Sequence, residues 1–301
     1  MEPIQNFLSA HQISFKDGCM LSELTTFKIG GRSELVLYPE TAEQCSALIR
    51  FAREQNQRLI FLGNGSNILG SDHGCQEWIL KTERLAGLSI DENDILKVGA
   101  GVRLVKASSF TAKNGFSGLE FAYGIPGTVG GAVFMNAGAY GGSMDQVVLK
   151  THYLDEEGAP HVIEGPAHQF AYRNSFFMQH PSYLITAVEM RLEKGNMQEI
   201  LKRIEELQRR RKEKQPLEYP SAGSVFKRPA GNYAGKLIEE AGLRGYRIGD
   251  AQVSEKHCGF IINRGRATSR DVRLLIAHVQ QQVKKKSGIE LECEVRFIGA
   301  E

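Results

Sequence analysis

The apolar patterning of this chain predicts an α+β protein built of two or three modules, and three observations lead there. Residues 34–63 read as a strand–helix–strand unit. Residues 78–194 alternate short strands and glycine turns around one helix, and residues 197–298 combine charged helices with apolar strands. A length of 301 residues agrees, since it exceeds what one ordinary core encloses.

The elements follow in order. Leu35–Tyr38 is an apolar strand stopped by Pro39. Thr41, with Gln44 three residues later, spells a capping box that opens a helix to about Asn56. Cys45, Leu48, Ile49 and Ala52 recur at spacings of three and four and give that helix one buried face. Arg58–Leu62 is the next strand and runs into the turn GNGSN. In the second region a helix is expected near Val102–Asn114. Val147–Leu154 and His161–Glu164 flank Asp155–Gly158 as a hairpin, and Tyr183–Leu192 forms a further strand. The third region opens with a helix over Met197–Lys214, packed through Ile200, Leu201, Ile204 and Leu207. A loop (Gln215–Pro229), a helix (about Tyr233–Ala241) and a buried strand (Phe260–Asn263) come next. A long helix (about Ser269–Lys286) and a closing strand (Leu291–Ile298) complete the chain.

Composition narrows the function. Hydrophobic content of 42% and charged content of 24% are those of a folded globular protein. Thirty-seven basic against 35 acidic residues leave a net charge of +2, so no strong field points towards nucleic acid. The longest apolar stretches, such as Gly130–Phe134, fall far short of the ~20 residues that span a bilayer. The N-terminal MEPIQNFLSAHQ lacks the basic region of a signal peptide. Cys19, Cys45, Cys75, Cys258 and Cys293 form no CxxC pair, which fits a reducing cytoplasm better than a disulfide framework or a zinc knuckle. The expectation is a soluble, cytoplasmic enzyme or binding protein for a small molecule, with no nucleic-acid or membrane partner and no bound metal. Protein partners are not legible.

Gly124–Gly142, GIPGTVGGAVFMNAGAYGG, holds seven glycines in nineteen residues. Glycine lets backbone N–H groups approach a ligand with no Cβ in the way, and successive amides can form a concave anion site suited to a pyrophosphate. A mobile linker is the alternative, but linkers do not interleave Ile125, Val129, Val133, Phe134 and Met135. The turn Gly63–Asn67 follows a strand, as a dinucleotide fingerprint would. Such a fingerprint needs glycine where Ile68 stands and a helix for which Ile68–Gln76 leaves no room. Glu83, at the spacing of a ribose-binding acid, is then a coincidence, and the turn reads as a second short phosphate-binding element.

Eight segments, in order, carry a resemblance: TTFKIGG (Thr25–Gly31), GNGSN, GIPGTVGGAVFMNAGAYG, AYRNS (Ala171–Ser175), SAGSVFKRP (Ser221–Pro229), AGKLIEEAGLRG (Ala234–Gly245), VSEKHCGFIIN (Val253–Asn263) and EVRFIG (Glu294–Gly299). Together they resemble the UDP-N-acetylenolpyruvoylglucosamine reductase (MurB) family over about residues 22–299. The 45 residues between AYRNS and SAGSVF are similar to the shorter subtype without the tyrosine-bearing insertion. The resemblance implies a flavin-binding module of the vanillyl-alcohol-oxidase type in two subdomains (1–80 and 81–195) and a C-terminal substrate domain (196–301). It departs at Cys258, where alanine is usual, and at Cys293, where proline is common, which bears on loop rigidity and thiol sensitivity.

The implied reaction reduces the enolpyruvyl ether of a nucleotide sugar to a lactyl ether, with NADPH as hydride donor and non-covalent FAD as carrier. By motif match, FAD would rest on Lys28 and Ile29, and on Gly63, Asn64, Gly65, Ser66 and Asn67. It would also rest on Gly124, Ile125, Pro126, Gly127, Thr128, Gly130, Gly131, Ala132 and Asn136, with Arg211 from the charged helix. Arg173 would hold the substrate carboxylate and the growing enolate charge, for which a bidentate guanidinium is suited. Ser224 would donate the proton, with Ser221 only shaping the loop, and Glu294 would orient the same end of the substrate. Tyr172, Lys214, Lys236, Arg244, His257 and Arg296 are the substrate-binding candidates. Without the motifs, Arg173 reads more readily as a solvated strand-end arginine, Glu294 as an edge carboxylate beside Arg296, and His257 as a structural histidine. Ser224–Lys227 also spells the S-x-x-K of penicillin-binding proteins, but the accompanying K-T-G is missing. A nucleotide-sugar sensor without flavin is the non-enzyme alternative.

Overall fold

A computed structural model of the chain describes residues 2–299. It resolves into two compact units, each discontinuous in sequence. The first takes the chain up to Asp17, then Leu35–Asn64 and Glu77–Arg210; the second takes Gly18–Glu34, Gly65–Gln76 and the chain from Arg211 onward.

In the first unit a four-stranded sheet runs Ser14–Asp17, Leu35–Tyr38, Trp78–Lys81, Leu59–Leu62 in spatial order. The first pair is antiparallel and the other two are parallel. The helix Ala42–Glu54 connects Leu35–Tyr38 to Leu59–Leu62 and buries the expected Cys45, Leu48, Ile49 and Ala52. Its cap differs slightly from the expected box. Thr41 Oγ1 accepts from the Gln44 N–H at 3.2 Å, while Gln44 Oε1 accepts from the Glu40 N–H at 2.7 Å, one residue before the cap. A second, antiparallel sheet runs Pro160–Glu164, Val148–Leu154, Leu184–Arg191, Ile95–Gly99, Leu88–Ile90. Its Asp155–Gly158 hairpin forms as expected, because the Asp155 carboxylate accepts the Glu157 and Ala159 N–H groups, both at 2.9 Å. Leu37, Leu48, Leu80, Leu96, Val188 and Met190 belong to one core beneath these elements and are fully buried. Each such side chain contributes about 1.5–3 kcal/mol relative to exposure. The charged helix Met197–Lys214 packs through Ile200, Ile204 and Leu207.

The second unit carries an antiparallel sheet ordered Ser221–Ser224, Phe260–Asn263, Ala251–Val253, Arg247–Ile248. The helix Ser269–Ser287 lies on it through Val272, Leu275, Ile276, Val279 and Val283. Thr268 and Asp271 form a reciprocal capping box at its start, and Gly288, at φ 73°, ends it in the left-handed conformation glycine favours. Ile68–Gly70 and Arg296–Ile298 pair in parallel, in register Ile68–Arg296 to Gly70–Ile298. Phe27, Ile29 and Leu69 are buried in the same core.

Two expectations need correction. Gln215–Pro229 is not all loop: Ser221–Ser224 is a strand, bulged between its end residues where Gly223 takes φ 78°. The closing strand is shorter than Leu291–Ile298. Glu292–Glu294 instead pairs irregularly with Val225–Lys227, through Lys227 N–H to Glu292 O at 2.9 Å and Glu294 N–H to Val225 O at 2.7 Å. Regular pairing starts only at Arg296.

Candidate active site

In the first unit the turn after Leu59–Leu62 meets the glycine segment at close range. A Cβ on Gly63 would stand 2.4 Å from Thr128 Oγ1, so only glycine fits there. Asn64 Nδ2 donates to the Pro126 carbonyl at 2.5 Å, and the Leu104 N–H donates to the Gly127 carbonyl at 3.0 Å. Val129–Phe134 forms a short helix that the glycine pattern did not announce, with Thr128 as its cap. The backbone N–H groups of Asn64, Gly127 and Thr128 donate to no acceptor among the described residues. Thr128 is buried, and a buried N–H without a partner is rare enough to mark a ligand position. A cavity of about 150 Å³ opens here, lined by Gly63, Asn64, Thr128, Glu83, Arg103 and Lys106 among others. These glycines, free amides and basic side chains fit a dinucleotide phosphate. In the second unit Gly65, at φ 64°, packs against the Leu24–Thr25 backbone, and Thr25 Oγ1 is buried with no hydrogen-bond partner among the described residues.

Arg173 sits at the tip of a two-residue turn. Ala171 and Asn174 exchange both backbone hydrogen bonds at 3.1 Å, and Arg173 adopts φ 53°. A non-glycine residue in that region stores on the order of 1–2 kcal/mol, a cost found mostly where the surroundings impose it. The turn is strapped from two sides. Asn136 Nδ2 donates to the Ala171 carbonyl at 3.0 Å, and Ser175 Oγ donates to the Phe134 carbonyl at 2.8 Å. Arg173 Nη2 donates to the Gly138 carbonyl at 3.2 Å, and its guanidinium lies 5.1 Å from the centre of the exposed Tyr172 ring. The Asn136 side chain is thereby engaged within the protein, and also accepts from the Asp145 N–H at 3.0 Å.

In the second unit Ser224 and Glu294 are neighbours through the backbone. Val225, next to Ser224, donates to the Gly259 carbonyl at 2.9 Å and accepts from the Glu294 N–H at 2.7 Å. The Glu294 carbonyl accepts from Asn67 Nδ2 at 3.0 Å, so its main chain is held on both sides. Ser224 itself is exposed. Ser221 shapes the bend: its carbonyl accepts from Thr26 Oγ1 at 2.7 Å and its hydroxyl from the Gly223 N–H at 3.5 Å.

The remaining candidates divide by exposure. Lys236 pairs with Glu240 at 3.6 Å and Arg244 with Glu239 at 2.6 Å, both in solvent. Lys214 is exposed and Arg211 half-buried at the end of the charged helix. Lys28, at φ 59°, is exposed, whereas the Ile29 side chain is in the core, so only its backbone is open to a ligand. Burial holds the Arg296 guanidinium below its usual range. Burial likewise lowers His257, whose Nδ1 accepts from the Gly259 N–H at 3.1 Å. Burial pushes the Cys258 and Cys293 thiols up, which makes both poor nucleophiles. Among the described residues no three His, Cys, Asp or Glu side chains gather as a metal site, and no helix is long and apolar enough to cross a membrane. Sequence reasoning missed Lys81, Arg103 and Lys106. Their one visible signal is position, Lys81 closing an apolar strand and the other two flanking the start of the Leu104–Lys113 helix.

Comparison with known proteins agrees with this chemistry. The family model of an FAD binding domain matches residues 33–163, so the chain is a flavoprotein of the FAD-binding α+β class. The model described as the UDP-N-acetylenolpyruvoylglucosamine reductase C-terminal domain matches residues 215–298. The reductase of that name from Lachnoclostridium phytofermentans is 44% identical over 303 residues, covering 99% of this chain and 97% of the relative. The one from Caldanaerobacter subterraneus is 46% identical over 275 residues, covering 91% and 90%. The crystal structure of the Thermus caldophilus reductase superposes with a TM-score of 0.80 at 34% identity, covering 95% of this chain and 99% of that one. The chain belongs to the UDP-N-acetylenolpyruvoylglucosamine reductase family, and the expected oxidoreductase, FAD cofactor and α+β fold all stand.

Proposed function

We propose that the chain reduces UDP-N-acetyl-3-O-(1-carboxyvinyl)-glucosamine to UDP-N-acetylmuramate, a cell-wall precursor, with NADPH as hydride donor. The observation that carries this reading is Arg173, a guanidinium fixed at the tip of a strapped turn in a backbone conformation arginine rarely adopts. FAD, when bound, supplies the hydride chemistry between nicotinamide and the vinyl carbon.

The side chains do the rest. Hydride addition to the terminal vinyl carbon pushes an electron pair towards the carbon that bears the carboxylate. Arg173 binds that carboxylate and gains most as its charge grows, which is stabilisation of the transition state over the ground state. Ser224 gives its hydroxyl proton to the resulting carbanion, a base strong enough to take it, and Glu294 orients the same end of the substrate. Lys214, Lys236, Arg244, Arg296, Tyr172 and His257 are proposed for the nucleotide sugar. Lys236 and Arg244 would exchange Glu240 and Glu239 for phosphate. For FAD we propose Lys28, Ile29, Gly63–Asn67, Gly124–Thr128, Gly130–Ala132, Asn136 and Arg211, supported in part by the free amides of Asn64, Gly127 and Thr128. A division into 1–80, 81–195 and 196–301 is supported by one sheet of four or five strands in each block, apart from the last residue of the strand Trp78–Lys81, although Ile68–Gly70 pairs with Arg296–Ile298 across the first and last blocks. The thiols of Cys19, Cys45, Cys75, Cys258 and Cys293 suit a reducing cytoplasm.

The test is spectroscopic. Purified protein carries a flavin spectrum that NADPH bleaches anaerobically faster than NADH, and the substrate restores the colour. Bleaching that substrate does not reverse rejects the substrate assignment, and equal rates with the two nucleotides reject the preference for NADPH.

A further inference from the structure

Lys81 ends the strand Trp78–Lys81 and is only 5% exposed, an uncommon state for lysine unless it has a fixed task. Its ammonium donates to the Gly63 carbonyl and stands 3.9 Å from the Glu83 carboxylate, which supplies a partial counter-charge.

The consequence follows from peptide geometry. In a trans peptide the C=O of one residue and the N–H of the next point in opposite directions. Tying the Gly63 carbonyl to Lys81 therefore turns the Asn64 N–H away from the sheet. The same logic applies twice in the glycine segment. The Pro126 carbonyl is tied by Asn64 Nδ2 and the Gly127 carbonyl by the Leu104 N–H, which turns out the N–H groups of Gly127 and Thr128. These three amides donate to nothing among the described residues. Of the three ties, the one on the Gly63 carbonyl is made by a buried charged side chain, Lys81.

We infer that Lys81 is a positioning residue for the diphosphate of the dinucleotide cofactor, acting through the Gly63–Asn64 peptide. The inference rests on the FAD-binding reading. It involves no contact between Lys81 and substrate.

Apoprotein titrated with FAD, ADP and riboflavin, each followed by fluorescence or calorimetry, is the experiment. Lys81→Met should weaken FAD and ADP alike by ~10–100-fold, the value of a hydrogen bond from a charged donor. Riboflavin, which has no diphosphate, should bind as before, and Lys81→Arg should recover most of the loss. An unchanged FAD dissociation constant overturns the inference, and so does equal weakening of riboflavin, which marks a general lesion. Amide exchange on the wild-type protein gives a reading that needs no variant. The Asn64 amide should exchange freely without ligand and become protected by ADP; no protection also overturns it. Wild-type protein that binds neither FAD nor ADP points instead to failure of the flavoprotein reading.

Discussion

The carboxamide of Asn136 donates to the Ala171 carbonyl at 3.0 Å and so ties the glycine-rich segment to the turn that presents Arg173. Asn136 is itself at φ 43°, a region asparagine tolerates better than most residues. Asn136→Ala leaves the Asp145 N–H unpaired and the Ala171 carbonyl with only its bond from the Asn174 N–H. A loss of about 1–3 kcal/mol in stability is expected. Turnover should fall further than FAD affinity, because the hairpin loses its strap while FAD keeps its other proposed contacts. Denaturant melts with steady-state assays check this; unchanged turnover would show that the turn holds its shape without Asn136.

Arg173→Lys keeps the charge and loses the planar fork. Turnover should drop more than substrate affinity, since the missing stabilisation belongs to the transition state. Reduction of the flavin by NADPH should continue. Near-normal turnover would assign Arg173 a purely structural task in its turn.

Ser224→Ala separates the half-reactions. Anaerobic bleaching by NADPH needs no proton donor aimed at substrate and should be nearly unaffected. Reoxidation by substrate should slow by at least the ~10²–10⁴-fold that positioned proton transfer is worth. Ser224→Cys should recover part of it. Stopped-flow traces in which both half-reactions slow equally would mean that Ser224 holds the site together and donates nothing.

His168 is expected to make the fold sensitive to acid. Its Nδ1 donates to the Gly165 carbonyl at 3.0 Å, leaving Nε2 to accept from the Thr151 hydroxyl at 2.9 Å, and burial lowers its pKa below the ordinary 6.5. The unfolded chain therefore binds the proton first, and stability rises with pH where it does so. The contribution is complete above about 6.5 and is lost as pH falls from there through the folded-state value. His168→Gln should flatten the melting temperature as pH falls below about 6.5. An equally steep wild-type and variant curve would reassign the acid sensitivity, with His257, lowered by burial as well, next in line.

Local signals were readable where the chain satisfies itself nearby. Thr41 and Gln44 announce the helix Ala42–Glu54, and Asp155 with Gly158 announces its hairpin, because donor and acceptor lie within a few residues. Ser221–Ser224 was not readable as a strand. SAGS has neither β-branched residues nor alternation, and its pairing with Phe260–Asn263 is decided by a remote partner. The closing strand was overextended for the opposite reason: Leu291–Ile298 reads as continuous, but its first half serves Val225–Lys227. Of the candidate site, Arg173, Ser224 and Glu294 came from motif order, and the structure adds their supports. Lys81 was hidden because a strand-end lysine looks solvated until a carbonyl is found against its ammonium.

The pairing of Ile68–Gly70 with Arg296–Ile298 has a consequence for biosynthesis. The earlier of the two segments leaves the ribosome with its pairing groups open, and its partner emerges only after a long stretch of chain. Until then an apolar edge, Leu69 among it, stays available to other chains. Closing so long a loop is slow and entropically costly. The second unit therefore cannot complete this pairing until the later segment emerges, and release of the nascent protein short of it should yield an aggregating species rather than a shortened enzyme.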